Sequence, residues 1–221
     1  MARQVRSEVT RRKILDAAVD VFGEVGYAAA NWGTIIERTG MTKGALYHHF
    51  DSKEALASAI IEEGSDALLG AFRNVCGSAS PALENMIHGT FAVAHLLRAD
   101  ETARAAEHLT AVLAGFNAAA AQFFGVCAGE MAGQARRAIA EGDLRDDVDP
   151  ELVGELIVGA TFGMRLLSNA LSRPGANGHQ VESPGHRLGQ LWGLLLPGMT
   201  VETSLPYFRE FLAREAMRSR H

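Results

Sequence analysis

The sequence predicts an all-α protein: an N-terminal three-helix unit of helix-turn-helix type, joined by a continuous helix to a larger helical domain. Three observations carry this. Alanine occurs 36 times in 221 residues and, with leucine, heads the helix-propensity scale. Alternating runs of Val, Ile and Thr, which build strands, are nearly absent. Apolar residues recur at three- and four-residue spacing along most of the chain, and at 48% of the total they exclude wholesale disorder.

The first helix is expected over 10–25, where Ile14, Ala17, Ala18, Val21, Phe22 and Val25 form one apolar stripe. Gly26 is placed to end it in left-handed geometry, with Tyr27 packing back over the last turn. Asn31 reads as the N-cap of a short helix over 32–39, and Gly40 as its stop. Thr42 caps a second short helix that ends near Phe50. Ser52 caps the next, with Glu54 in its first turn, and this helix continues to about residue 75. Beyond it, Ser80-Pro81, Asp149-Pro150 and Ser183-Pro184 each place Pro at a first helical position behind a capping side chain. The expected helices are 81–98, 101–113, 117–141, 150–171, 185–196 and 203–218, and 172–185 is a long loop. The domain boundary falls after residue 52, giving 1–52 and 53–221.

Composition narrows the setting. No stretch approaches the roughly 18–20 apolar residues of a membrane helix, and no apolar run of signal-peptide type follows the basic start. Cys76 and Cys127 are too few for a disulfide framework and lack metal-ligand spacing. A cytoplasmic protein with no membrane association, no metal and no cofactor is expected. The net charge of −5 disfavours nucleic acid only if it is spread evenly, and it is not. Residues 1–55 balance at +1 and residues 56–221 at −6, and the start carries Arg3, Arg6, Arg11, Arg12 and Lys13 against Glu8. Salt screens charges beyond about 10 Å, so a local basic arm can meet phosphate on an acidic chain.

The most informative stretch is Gly40-Met41-Thr42-Lys43-Gly44-Ala45-Leu46-Tyr47-His48-His49-Phe50. At about 100° per residue, Lys43, Tyr47, Gly44 and His48 share one arc of about 140°, while Ala45, Leu46, His49 and Phe50 lie on the other side. A helix that enters a major groove needs this division. Thr42 sits where unpaired backbone N–H groups attract anions. Lys43 offers a positive charge to phosphate or to guanine acceptors. Gly44 removes the side chain that would hold the helix off the duplex, and Tyr47 and His48 can hydrogen-bond to phosphates. Lys53 is placed to clamp the flanking backbone, and Arg3 and Arg6 supply the basic arm. Few of these groups read bases, so DNA shape is expected to contribute to selectivity. A short amphipathic helix with a solvated polar face would show the same pattern. His49 reads as a packed histidine, and adjacent histidines on a helix point too far apart to share a metal.

Thr42-Lys43-Gly44-Ala45-Leu46-Tyr47-His48-His49-Phe50, then Ser52-Lys53-Glu54 and Leu56, resembles the DNA-binding signature of the TetR family of one-component bacterial repressors. Ile14, Ala17, Ala18, Phe22, Gly26-Tyr27, Ile35 and Gly40 fit the same pattern, so the resemblance spans about residues 10–57. Met1-Ala2-Arg3-Gln4, Gly44-Ala45-Leu46-Tyr47 and the Asp149-Pro150 start further resemble the actinobacterial γ-butyrolactone receptor branch. The resemblance implies a homodimer that represses from a partly palindromic double-stranded operator and is released by a small molecule in the C-terminal domain. It implies phosphate contacts at Thr42, Lys43, Tyr47, His48 and Lys53, with Lys43 and Gly44 against base edges. That branch places a tryptophan on the long helix over 117–141. This chain has Phe123, Phe124 and Cys127 there, which leaves open a ligand other than a butyrolactone.

Four stretches offer lining for a largely apolar inducer: Met86, Phe91 and His95; Leu109 and Leu113; Phe123, Phe124 and Cys127; Phe162 and Leu166. Gln134 and Thr161 are placed to orient it. The same stripes serve equally as core. For dimerisation, the helix over 150–171 is apolar nearly all round and is interrupted by Gly154, Gly159 and Gly163. These glycines cost roughly 1 kcal/mol each unless they permit close packing. Gly154, Ile157, Thr161 and Met164, with Phe208, Phe211 and Leu212 on the last helix, form the expected four-helix interface. Two-fold symmetry would set two reading helices about 34–36 Å apart. An enzyme is disfavoured, since no GxGxxG, phosphate loop, zinc pattern or serine elbow occurs. A helical adaptor or scaffold would explain the alanine content and a dimer, but not the open arc around Gly44.

Overall fold

The computed structural model describes residues 2–76, 81–171 and 183–219. The capping residue Ser80 and most of the expected loop, 172–182, lie outside the described residues, as does the side chain of Arg3. Ten helices occur among the described residues: α1 (Ala2–Ala29), α2 (Trp32–Thr39), α3 (Lys43–His49), α4 (Lys53–Val75), α5 (Ala82–Ala99), α6 (Glu101–Leu113), α7 (Ala118–Glu141), α8 (Pro150–Leu171), α9 (Pro184–Met199) and α10 (Leu205–Arg218). The one extended pairing described is an isolated bridge between Leu144 and Thr200.

α1 begins eight residues before the expected start. Residues 2–9 hold no Gly or Pro, and their Arg, Gln and Glu side chains lose little freedom in a helix. The basic arm is therefore helical, with the Thr10 hydroxyl donating to the Arg6 carbonyl at 2.9 Å. At the other end Gly26 does not stop the helix. It kinks it, at φ 79° and ψ 158°, before a last turn to Ala29.

The remaining caps follow the side chains that read as caps. Asn31 accepts from the Thr34 amide at 3.1 Å, and Gly40, at φ 66°, donates to the carbonyls of Ile36 and Glu37. Thr42 accepts from the Ala45 amide, Ser52 from Ala55, Asp149 from Glu151 and Ser183 from His186. Two caps had no counterpart in the sequence pattern: Asp100 accepts from the Ala103 amide at 2.7 Å, and Asn117 from Ala120.

The helices pack into two compact units. The first comprises residues up to Leu68 together with Leu97–Phe123. Its core joins Ile14, Val21 and Phe22 of α1, Ile35, Leu46, Phe50 and Leu56 to Leu109 and Leu113 of α6. Arg12 of α1 pairs with Asp16 at 2.8 Å, with Glu63 of α4, and reaches the Thr102 hydroxyl of α6. α4 and α6 cross at Gly64, where a Cβ would stand 2.3 Å from the Ala106 Cβ. The second unit comprises Leu69–Leu96 and the chain from Phe124 onward. Its core includes Met86, Phe91, Met131, Ile157, Trp192, Phe208 and Leu212. Trp192 is fully buried and its indole N–H donates to the Thr90 hydroxyl at 2.9 Å. α8 meets α7 closely at Gly154, where a Cβ would stand 2.5 Å from the Ala128 carbonyl oxygen. Among the described residues no single helix is long and apolar enough to cross a membrane.

Candidate nucleic-acid interface

α3 is held to the first unit by one side only. Leu46 is fully buried and Phe50 nearly so, and Ala45 and His49 are partly buried. Lys43, Gly44, Tyr47 and His48 are exposed, as is the capping Thr42. A Cβ built on Gly44 would meet no atom within 4 Å. The division of α3 into a docked arc and an open arc thus follows from which side chains the core takes. The Thr42 hydroxyl accepts from the Ala45 amide, a bond that leaves its own O–H donor uncommitted.

The open arc is braced from within. The Lys43 ammonium lies 5.6 Å from the centre of the Tyr47 ring, and that ring meets Trp32 of α2 at 5.5 Å with planes 45° apart. The His48 and His49 rings form an edge-on pair at 5.4 Å. Trp32 was not among the expected site residues. Its only sequence signal was a large aromatic at the first position of an exposed short helix. Arg6 is exposed on α1.

Lys53 does not project outward as a clamp. Its ammonium donates to the carbonyls of Tyr27 at 2.8 Å, Ala30 at 2.9 Å and Ala28 at 3.4 Å, and it lies 4.5 Å from the centre of the Tyr27 ring. Those carbonyls lie in and just beyond the last turn of α1, where a helix leaves its carbonyls without intrahelical donors, and Lys53 satisfies them. In the free protein its donors serve the end of α1.

The expected inducer lining is divided between the two units. Met86 and Phe91 are buried in the core of the second unit, Thr161 is buried on α8, and Phe124, Cys127 and Phe162 are partly buried against that core. The Phe124 and Phe162 rings meet at 5.5 Å, nearly perpendicular. Leu109 and Leu113 instead belong to the core of the first unit, because the stripe on α6 serves the N-terminal helices, and Phe123 is buried in that unit. His95 and Leu166 face solvent. Gln134 accepts from the Asn85 side chain at 3.3 Å and lines an open groove of about 460 Å³ along α7 with Val126, Gly129, Glu130, Gly133 and Arg137. Burial, reinforced by Glu130, pushes the Cys127 thiol up to about 12 and the Cys76 thiol up to about 11, so neither is a nucleophile near neutral pH. Among the described residues no cluster of three His, Cys, Asp or Glu side chains is placed to hold a metal ion.

The expected dimer residues are largely spent inside the chain. Gly154, Ile157, Thr161, Phe208 and Leu212 are buried within the second unit, and the stripe on α10 is covered by α9. Met164 and Phe211 are only partly buried. The apolar surface left over lies elsewhere: Leu152, Leu156, Leu166 and Leu167 of α8 are each more than half exposed, and Leu194 of α9 is 80% exposed. Gly159 and Gly163, on the same face of α8, have open space beside them.

Residues 14–60 match the family described as bacterial regulatory proteins, tetR family. The A-factor receptor protein of Streptomyces griseus is 32% identical over 200 residues, which span 90% of this chain and 67% of that protein. Among solved structures, a gamma-butyrolactone receptor (ArpA-like protein) superposes with a TM-score of 0.77 at 26% identity, over 97% of this chain and 99% of that one. CprB from Streptomyces coelicolor, a TetR family protein solved with its biological operator sequence, gives 0.74 at 27% identity, over 96% and 99%.

Proposed function

The chain belongs to the TetR family of bacterial regulatory proteins, in its γ-butyrolactone receptor-like branch, and from that membership we propose that it is a homodimeric transcriptional repressor of a partly palindromic operator, released by a small, largely apolar molecule. The observation that carries the DNA-binding part is the open arc of α3. Lys43, Tyr47 and His48 stand exposed around a glycine with no neighbour, on a helix whose other side is fixed by Leu46 and Phe50.

On this reading Lys43, Tyr47, His48 and the Thr42 hydroxyl take phosphates, Gly44 lets the backbone approach the base edges, and Arg6 and Arg3 extend the contact along the duplex. Lys53 supports the reading helix from behind, by holding the end of α1. Two copies associate through the exposed leucines of α8 and Leu194 of α9, which gives the two-fold symmetry that a palindrome requires. The inducer binds in the second unit, where the partly buried Phe124 and Phe162 offer an apolar wall. Similarity to the A-factor receptor and to a gamma-butyrolactone receptor supports a small ligand of lactone type. α7 holds no tryptophan, so the lactone is one arm of the test and not its premise.

The purified chain is offered a random pool of duplexes. Enrichment of a symmetric motif, lost on adding a γ-butyrolactone or another small apolar compound, is the expected result. Failure to retain any duplex at low ionic strength overturns the reading.

A further inference from the structure

We propose that Trp32 is a positioning residue for the duplex-reading face of α3, acting through Tyr47 on Lys43. The inference rests on the DNA-binding reading above. Trp32 is the first residue of α2, behind the Asn31 cap, and one side of it packs on the core of the first unit. Its indole meets the Tyr47 ring at 5.5 Å. Tyr47, 43% exposed, in turn lies beneath the Lys43 ammonium at 5.6 Å. Indole, phenol and ammonium form a row running from the edge of the core to solvent.

Tyr47 needs such a partner. It stands on a seven-residue helix, and a helical aromatic has two open χ1 rotamers, trans and −60°. Gly44, on the far side of Tyr47 from Lys43, supplies no side chain that would restrict the tyrosine ring. Contact with an indole anchored in another helix selects one tyrosine rotamer, and the ring face then attracts the lysine cation. Both groups are thereby ordered before the duplex arrives, so less rotamer entropy is lost on binding. Trp32 contributes to affinity without itself taking a phosphate.

The test is a double-mutant cycle on the full chain. It uses a labelled duplex carrying the motif enriched from the random pool, with thermal unfolding followed in parallel. Trp32→Ala weakens binding about three- to tenfold, the range expected for loss of an aromatic pair. Trp32→Phe restores binding to within about twofold, since a phenyl ring still packs on Tyr47. Trp32→Leu fills most of the core volume but does not restore it, which keeps the test open should the alanine variant unfold. In a Tyr47→Ala background, removing Trp32 costs no further affinity. Equal losses in both backgrounds, or full binding by Trp32→Leu, would overturn the positioning role and leave the repressor reading intact. No binding by the wild-type chain overturns both.

Discussion

The ammonium of Lys53 sits 2.8 Å from the carbonyl oxygen of Tyr27 and 4.5 Å from the centre of its ring. Residue 53 therefore caps the kinked end of α1 from the start of α4. Charge-assisted hydrogen bonds of this kind contribute about 1.5–3 kcal/mol when their donor is removed, less where water can substitute. Lys53→Met is expected to lower the melting temperature by several degrees. Loss of a lysine spent on phosphate would instead reduce the salt slope of operator binding by about 0.9 per protomer, or about 1.8 for a dimer. An unchanged melting temperature with a reduced slope would return Lys53 to the DNA.

Gly44 gives a prediction in which stability and function move in opposite directions. Its site is open and helical, so Gly44→Ala gains up to about 1 kcal/mol of helix stability. The added methyl sits where the duplex approaches, and operator affinity falls at least tenfold. Unfolding and anisotropy titrations on one sample decide the matter. An unaffected affinity would mean that α3 does not approach DNA along this arc.

Much of the fold and part of the site were legible in the sequence, and the boundary between legible and illegible is physical. Asn31, Thr42 and Ser52 cap where they read as caps, because a cap is a contact three residues long. The open arc of α3 was legible for the same reason: a period of 3.6 residues decides which side Leu46 takes. The role of Lys53 was not, because its acceptors lie some 25 residues away, at an end of α1 that no local pattern ties to the start of α4. The stripe on α10 was legible as buried, yet Phe208 and Leu212 look the same whether α9 or a second copy covers them. The early start of α1 escaped because nothing in residues 2–9 breaks or caps a helix.

The glycines of α8 separate intrachain packing from dimerisation. Gly154→Ala drives a methyl to 2.5 Å from the Ala128 carbonyl oxygen, and overpacking of this kind costs about 1–3 kcal/mol. That loss is independent of protein concentration. Leu156→Glu, by contrast, places a charge on the exposed apolar face of α8. It should give monomers in sedimentation, with operator binding reduced to half-site strength. Retention of the dimer by Leu156→Glu and Leu166→Glu together would move the interface off this face.

Cys127 sets an alkaline limit on the second unit. Burial lifts its thiol from 9.0 to about 12, so the folded state keeps a proton that the unfolded chain releases first. Stability from this group is fully present below the unfolded value and is lost as pH rises through the folded one. Between about pH 9 and 12 the unfolded state binds fewer protons than the native state. Unfolding free energy then falls with pH, by up to about 1.4 kcal/mol per unit for one thiol. Cys127→Ala removes this thiol's share and should make the decline in denaturant melts from pH 8 to 11 shallower, leaving the share of Cys76, whose thiol is lifted to about 11, while costing some packing against the core at every pH. Alkylation offers an independent reading of the same burial. Iodoacetamide should modify native Cys127 slowly at pH 8 and rapidly in denaturant, because only the thiolate attacks and the native thiol is protonated there. Fast native labelling at pH 8, or an alkaline decline of equal slope in Cys127→Ala, would show that residue 127 is not enclosed by α7 and the core beside it.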